Sequence, residues 1–214
     1  ACWLARQGYE VHLIDITPLH VQMAVQASAN QPEAPLASIS TGDACSLPWA
    51  NGTADAILLL GPLYHLTDNK DRLQALREAH RVLKKQGILM AAGISRFASV
   101  IDGLRSEFLK DPIFTQIVER DLRDGQHRNP TAHPNYFTDA YFHRPVDLES
   151  EVTDAGFNLL GIYGVEGPGW LLKDFDEWWE DEVLRERILH LARMLETEQS
   201  LLGISAHLIA VGQK

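Results

Sequence analysis

A short apolar run, Ile57 to Leu60, ends on Gly61-Pro62 and is followed at once by Tyr64 and His65. The run is too short for a helix of usual length and reads as a buried strand. A Gly-Pro break straight after such a strand sets an unusual backbone at the carboxyl edge of a sheet, where open α/β folds bind their ligands. Gly61, Tyr64 and His65 are therefore the first candidates for chemistry. Two acids stand at comparable places: Asp15 closes a strand-like stretch just before Thr17-Pro18, and Asp43 follows the strand-like stretch Leu36 to Thr41. An acid at a strand's carboxyl end accepts hydrogen bonds from two ribose hydroxyls in nucleotide-type sites. It serves equally as a helix N-cap or, for Asp43, as a turn aspartate. Two such acids after consecutive strands favour a shared ligand edge.

The elements that position these residues alternate. Ala1 to Gln7 reads as a helix end capped by Gly8, Tyr9 to Ile16 as a strand, and Pro18 to Ala29 as a helix. GDACSLPW, Gly42 to Trp49, leads through the Asn51-Gly52 turn into the Ile57 strand. Asp68 or Asn69 caps a helix to Lys85, with Leu73, Leu76, Ala79, Val82 and Leu83 on its apolar face, and Ile88 to Ile94 is the next buried strand. This alternation predicts an α/β fold with a doubly wound, mostly parallel sheet. Farther on, Asp147 to Ala155 reads as a helix, Phe157 to Val165 as a strand, Asp174 to Ser200 as one long helix and Ala206 to Val211 as a last strand. The apolar stripe of that long helix, with Trp178 and Trp179, suits the core or a homodimer contact.

Arg96 to Arg144 differs in character. Helical patches give way to a polar stretch with His127, Pro130, His133 and Pro134, then Tyr136, Phe137, Tyr141, Phe142 and His143. Aromatics in a mobile polar segment predict a lid over a pocket, at about residues 97–145; the alternative is an insertion packed on the sheet. Tyr136 and Tyr141 are substrate-side candidates, as is Trp170 in the loop EGPGW. The three histidines lack the spacing of a helical metal pair, so no metal site is expected.

With 214 residues, 45% of them hydrophobic, the chain can bury one sizeable core, and it reads as a single domain over residues 1–214. A formal charge of −10 without a Lys/Arg cluster opposes nucleic acid as a partner. Cys2 and Cys45 have no metal-ligand spacing and are too few for a disulfide framework, which fits a reducing cytoplasm. No apolar run approaches the roughly 20 residues that cross a bilayer, so no membrane partner is expected. The chain opens on what reads as the second half of a helix, without an initiator Met. The expectation is a longer native protein.

VHLIDIT with Asp15, GDACSLPW with Asp43, DAILLLGPLYHL and LREAHRVLKKQGILMAAGISRF, in this order and spacing, resemble the class I S-adenosylmethionine-dependent methyltransferases, in the branch acting on small molecules. The resemblance spans nearly the whole chain, YFHRPVDLESEVTDAGF included. It implies a Rossmann-like, seven-stranded sheet with a helical lid and a C-terminal antiparallel strand pair. It also implies that Asp15 holds the ribose hydroxyls, Ile16 lines the adenine, Asp43 accepts from the adenine amino group and Ala44 offers its backbone N–H to the ring. Leu60 and Gly61 would meet the methionine part through the backbone, His65 would face the substrate, and Tyr64 would do either. The family's first strand and glycine-rich loop have no counterpart after Ala1, so cofactor binding is expected to need residues upstream.

Methyl transfer is an in-line displacement on an activated sulfonium, so the protein chiefly supplies approach geometry and a suitable electrostatic site. Where the acceptor is a hydroxyl, His65 is the first candidate base and His143 the second. The expected activity is methyl transfer from S-adenosylmethionine, with S-adenosylhomocysteine as product, to a small-molecule acceptor. Two alternatives are a non-catalytic cofactor- or partner-binding protein of the same fold and an NAD(P)-dependent oxidoreductase. The second lacks a Tyr-x-x-x-Lys pair or a comparable proton relay.

Overall fold

The computed structural model describes residues 1–131 and 133–214, which form two compact units, Ala1–Ala50 and Asn51–Lys214. In the first, α1 (Cys2–Arg6) precedes β1 (His12–Asp15), α2 (Pro18–Ala29) and β2 (Ser38–Thr41). Gly8, at φ +89°, takes the chain out of α1 as only glycine does cheaply. Thr17 is extended and Pro18 opens α2 with its φ already set. β1 and β2 run parallel with Asp15 beside Thr41. Ser28 and Gln31 tie the loop before β2: the Ser28 hydroxyl accepts the Leu36 N–H at 2.9 Å, and Gln31 accepts from Arg6 at 2.6 Å.

The second unit holds β3 (Ala54–Leu59), α3 (Pro62–His65), α4 (Asn69–Val82), β4 (Leu83–Ser95), α5 (Ala98–Arg105), α6 (Pro112–Asp124), β5 (Gln126–His127), β6 (Ala140–His143), α7 (Pro145–Asp154), β7 (Asn158–Gly164), α8 (Phe175–Glu180), α9 (Glu182–Leu195) and β8 (His207–Gln213). β4 is the spine of a six-stranded sheet. Along one edge it pairs antiparallel with β8, which pairs antiparallel with β7. Along the other it pairs parallel first with β3 and then, at Ile94 and Ser95, with β6. So β6 takes over the edge where β3 leaves it, and Gly61-Pro62 falls at the handover. The core lies under α4 and α7, where Leu76, Ala79, Leu89, Leu148, Val152 and Leu208 are buried. Each large aliphatic side chain there contributes about 1.5–3 kcal/mol.

Three expectations are corrected. The described strands form sheets of two and six rather than one of seven, because β1 pairs only with β2 and β3 only with β4. β3 is not buried on both faces: Leu59 is, whereas Leu58 and Leu60 on the other face are exposed. The helix expected from Asp174 to Ser200 breaks at Asp181, whose carboxylate accepts the N–H groups of Val183 and Leu184 at 2.9 and 3.0 Å and so caps a new helix. Within residues 97–145, Phe114, Ile117, Val118 and Tyr136 are buried together. His127 reinforces this cluster, bonded to Asp121 at 2.8 Å and to the Tyr136 carbonyl at 2.7 Å, with its ring stacked on Phe142.

Candidate active site

α3 begins where β3 ends. The Gly61 carbonyl accepts from the Tyr64 and His65 N–H groups at 3.3 and 3.4 Å, which folds one tight turn immediately beyond the sheet. Leu63 is wholly buried and anchors that turn, while His65 stays exposed. Tyr64 packs on Ile94, Ala98, Ala140 and Phe142, and its hydroxyl donates to the Leu60 carbonyl at 3.3 Å. Burial pushes its phenol up, which keeps the hydroxyl a donor. The His65 ring lies 4.8 Å from that of Tyr64 and 6.2 Å from that of Phe137, nearly parallel to the latter at 24°.

Behind α3 lies a buried ionic network. Arg72 is 2% exposed; its guanidinium donates to Glu151 at 2.7 Å and to the Leu66 and Thr67 carbonyls at 2.9 and 3.1 Å, and lies 3.6 Å over the Tyr141 ring. It thus holds the chain that leaves α3. Burial pushes the Glu151 carboxyl up, but hydrogen bonds from His143 and Arg72 outweigh this and bring it down to about 2. His143 is fully enclosed, 3.3 Å from Glu151, with Gly93 leaving room for its ring. Burial holds this imidazole below its ordinary value. A histidine without solvent access, bonded to a carboxylate inside the core, supports structure, so the role of second base is corrected to an internal one.

The other aromatic candidates are also engaged. The Tyr136 hydroxyl donates to Asp111 at 2.8 Å, and its ring is buried. Tyr141 lies beneath Arg72 and accepts from Arg96 at 3.3 Å. The Trp170 indole N–H donates to the Ile204 carbonyl at 2.7 Å. The polar end of each of the three is engaged in a hydrogen bond.

In the first unit the parallel pairing of β1 and β2 brings Asp15 and Asp43 to the same carboxyl edge. The Asp15 carboxylate accepts the Thr17 N–H at 2.8 Å and lies 3.3 Å from His20; that of Asp43 accepts the Cys45 N–H at 2.8 Å. Ile16, next to Asp15, is exposed, and Ala44 sits in the turn after Asp43.

A family model for a methyltransferase domain matches residues 1–91. No curated protein gives a significant sequence match. Among solved structures, an S-adenosylmethionine-dependent methyltransferase from Methanosarcina mazei superposes with a TM-score of 0.61 at 19% identity, over 99% of this chain and 85% of that one. One from Mesorhizobium loti gives 0.62 at 11% identity, over 99% and 84%. The fold is that of the class I S-adenosylmethionine-dependent methyltransferases. A cyclase, SpnF, has the same methyltransferase fold, with a TM-score of 0.55 at 17% identity over 99% of this chain and 68% of its own.

Within this methyltransferase fold, Asp15, Ile16, Asp43, Ala44, Leu60, Gly61, Tyr64 and His65 all lie in the matched stretch, and Tyr136, Tyr141 and Trp170 lie outside it. Among the described residues no group of three or more His, Cys, Asp or Glu is placed to hold a metal ion, and no helix is long and apolar enough to cross a membrane. Arg72 and Glu151 escaped the sequence reading, though a signal was present. Arg72 falls on the stripe with Ala75, Leu76, Ala79 and Val82, and Glu151 on that with Leu148 and Val152. A charge on a helix's apolar stripe marks a buried pair.

Proposed function

We propose that the protein transfers a methyl group from S-adenosylmethionine to a small-molecule acceptor. The observation that carries this reading is the shared edge of β1 and β2, where Asp15 and Asp43 follow parallel strands inside the stretch that matches a methyltransferase domain. The residues fit the cofactor's chemistry. In the first unit, the Asp15 carboxylate would take the ribose hydroxyls, exposed Ile16 the adenine face, and Asp43 and Ala44 the adenine edge. The cofactor, when bound, supplies a methyl group already activated as a sulfonium. The chain's own residues then orient the acceptor, and exposed His65 takes the proton where the acceptor is a hydroxyl.

The cyclase with the same fold favours a second reading, a protein that binds the cofactor without methylating. Calorimetric titration of S-adenosylhomocysteine into the full-length wild-type protein and its Asp15→Ala variant tests the first step. Losing both ribose hydrogen bonds is expected to weaken binding by about a hundredfold or more, at about 1.5–3 kcal/mol for each bond to a charged group. Equal affinity in both proteins would remove Asp15 from the site. Binding without release of S-adenosylhomocysteine from S-adenosylmethionine, across a panel of acceptors, would favour the second reading.

A further inference from the structure

Asp15 is not an open carboxylate. In the first unit, Nδ1 of His20 lies 3.3 Å from each of its two oxygens, while the Thr17 N–H donates to one of them at 2.8 Å. A nitrogen equidistant from both oxygens sits across the two-oxygen face of the carboxylate. That face is also the one that a ribose diol uses, with one hydroxyl to each oxygen. The ring is free to leave it. His20 lies in the first turn of α2, its side chain is 60% exposed, and among the described residues its ring makes no other hydrogen bond.

We infer that His20 is a gate on the ribose seat: cofactor binding displaces the imidazole from Asp15, and protonation of the imidazole holds the gate shut. A neutral ring gives up one hydrogen bond that the ribose hydroxyls replace, so the exchange costs little. A protonated ring gives up an ion pair as well, which uncharged hydroxyls do not replace. Histidine is the side chain that changes charge across the neutral range. α2, which has no other titratable residue, packs on β1 and β2. On β1, His12 is engaged with Ser38 at 2.7 Å and Glu10 at 3.4 Å, and β2 has no titratable group. Asp43, beyond β2, accepts the Cys45 N–H. Among the described residues, Asp15 is therefore the one carboxylate in contact with the His20 ring. The inference rests on the ribose role of Asp15 proposed above.

The test is calorimetric titration of S-adenosylhomocysteine into the full-length protein and its His20→Ala, His20→Gln and Asp15→Ala variants at about pH 5.5 and about pH 8, which bracket the ordinary histidine value of about 6.5. Comparing variants at one pH cancels the ligand's own titration and that of the other histidines. At the lower pH, His20→Ala is expected to bind about threefold to fivefold more tightly than the wild type; at the higher pH the two should differ by less than about twofold. His20→Gln keeps a donor but no charge, so its ratio to His20→Ala is expected to be the same at both. A wild type whose ratio to His20→Ala is equal at the two pH values, or a His20→Gln that shifts with pH as the wild type does, would overturn the gate. Where Asp15→Ala still weakens binding at the higher pH, the methyltransferase reading survives either failure. Binding indifferent to Asp15→Ala, or no binding at all, removes that reading and the gate together.

Discussion

Glu166 and His207 form the most exposed of the strongly shifted pairs, with His207 Nδ1 2.5 Å from the Glu166 carboxylate. That carboxylate also accepts the His207 N–H at 2.9 Å and the Ser205 hydroxyl at 2.8 Å. Burial pushes the Glu166 carboxyl up, but these bonds outweigh it and hold it at about 2; the hydrogen bond to Glu166 raises the His207 imidazole above its ordinary 6.5. The lowered carboxyl stabilises the fold above about 4.5 and loses that effect as pH falls toward 2. The raised imidazole contributes fully below 6.5 and loses its contribution as pH rises through its folded value. Both act between about pH 4.5 and 6.5. Since His207 is nearly half exposed, screening limits the pair to about 1 kcal/mol. His207→Ala is therefore expected to cost about 1 kcal/mol in urea unfolding at pH 6 and clearly less at pH 9; equal costs at the two pH values would show that the ion pair is not the source. The pair was not legible in the sequence, because its members lie 41 positions apart and meet only through the antiparallel pairing of Gly164 with Leu208.

At the scale of elements, α4 and α7 are joined through Arg72 and Glu151, both enclosed. Their attraction offsets two desolvation costs, so removing one partner strands the other charge in the core. Arg72→Met is expected to cost about 3–5 kcal/mol in chemical unfolding, and Arg72→Met/Glu151→Leu to recover part of the loss. A double variant no better than the sum of its singles would mean that packing, not the unpaired charge, sets the cost. Elements with local signals were the legible ones: Asp68 caps α4 by accepting the Lys70 N–H at 2.9 Å, and Thr17-Pro18 opens α2 at Pro18. The break at Asp181 was hidden because the apolar stripe runs on from Trp178 and Trp179 to Val183 without losing register, and only the carboxylate's direction decides between helix interior and cap. β6 was hidden for another reason. It is four residues long and pairs with β4 at only two positions, Ile94 with Phe142 and Ser95 with His143, so its strand character comes from its partner rather than its own pattern.

Over the whole molecule, strand order followed from local apolar periodicity and the partition of the sheets did not, since pairing is non-local: nothing within HLID or ADAILL says that β1 has only β2 beside it, or β3 only β4. Charge, by contrast, is fully legible in the sequence and makes its own demand. A formal −10 at pH 7 repels itself across the molecule, and that long-range repulsion is what salt screens first. Working against it are exposed pairs such as Lys84 with Asp55 and Arg123 with Asp124, each worth at most about 1 kcal/mol and also lost in salt. The Arg72–Glu151 pair is enclosed and feels salt little. Far from neutrality the repulsion should win, so raising sodium chloride from about 0.05 to about 0.5 M at pH 8 is expected to raise the melting temperature by about 2–4 °C, equivalent to about 1 kcal/mol for a chain of this size. Near pH 5.3 the net charge vanishes and only the local pairs remain to be screened, so the same addition is expected to leave the melting temperature unchanged or lower it. Differential scanning calorimetry at the two pH values separates these cases. A fall at pH 8 would show that local ion pairs, not net repulsion, govern the electrostatic part of the stability.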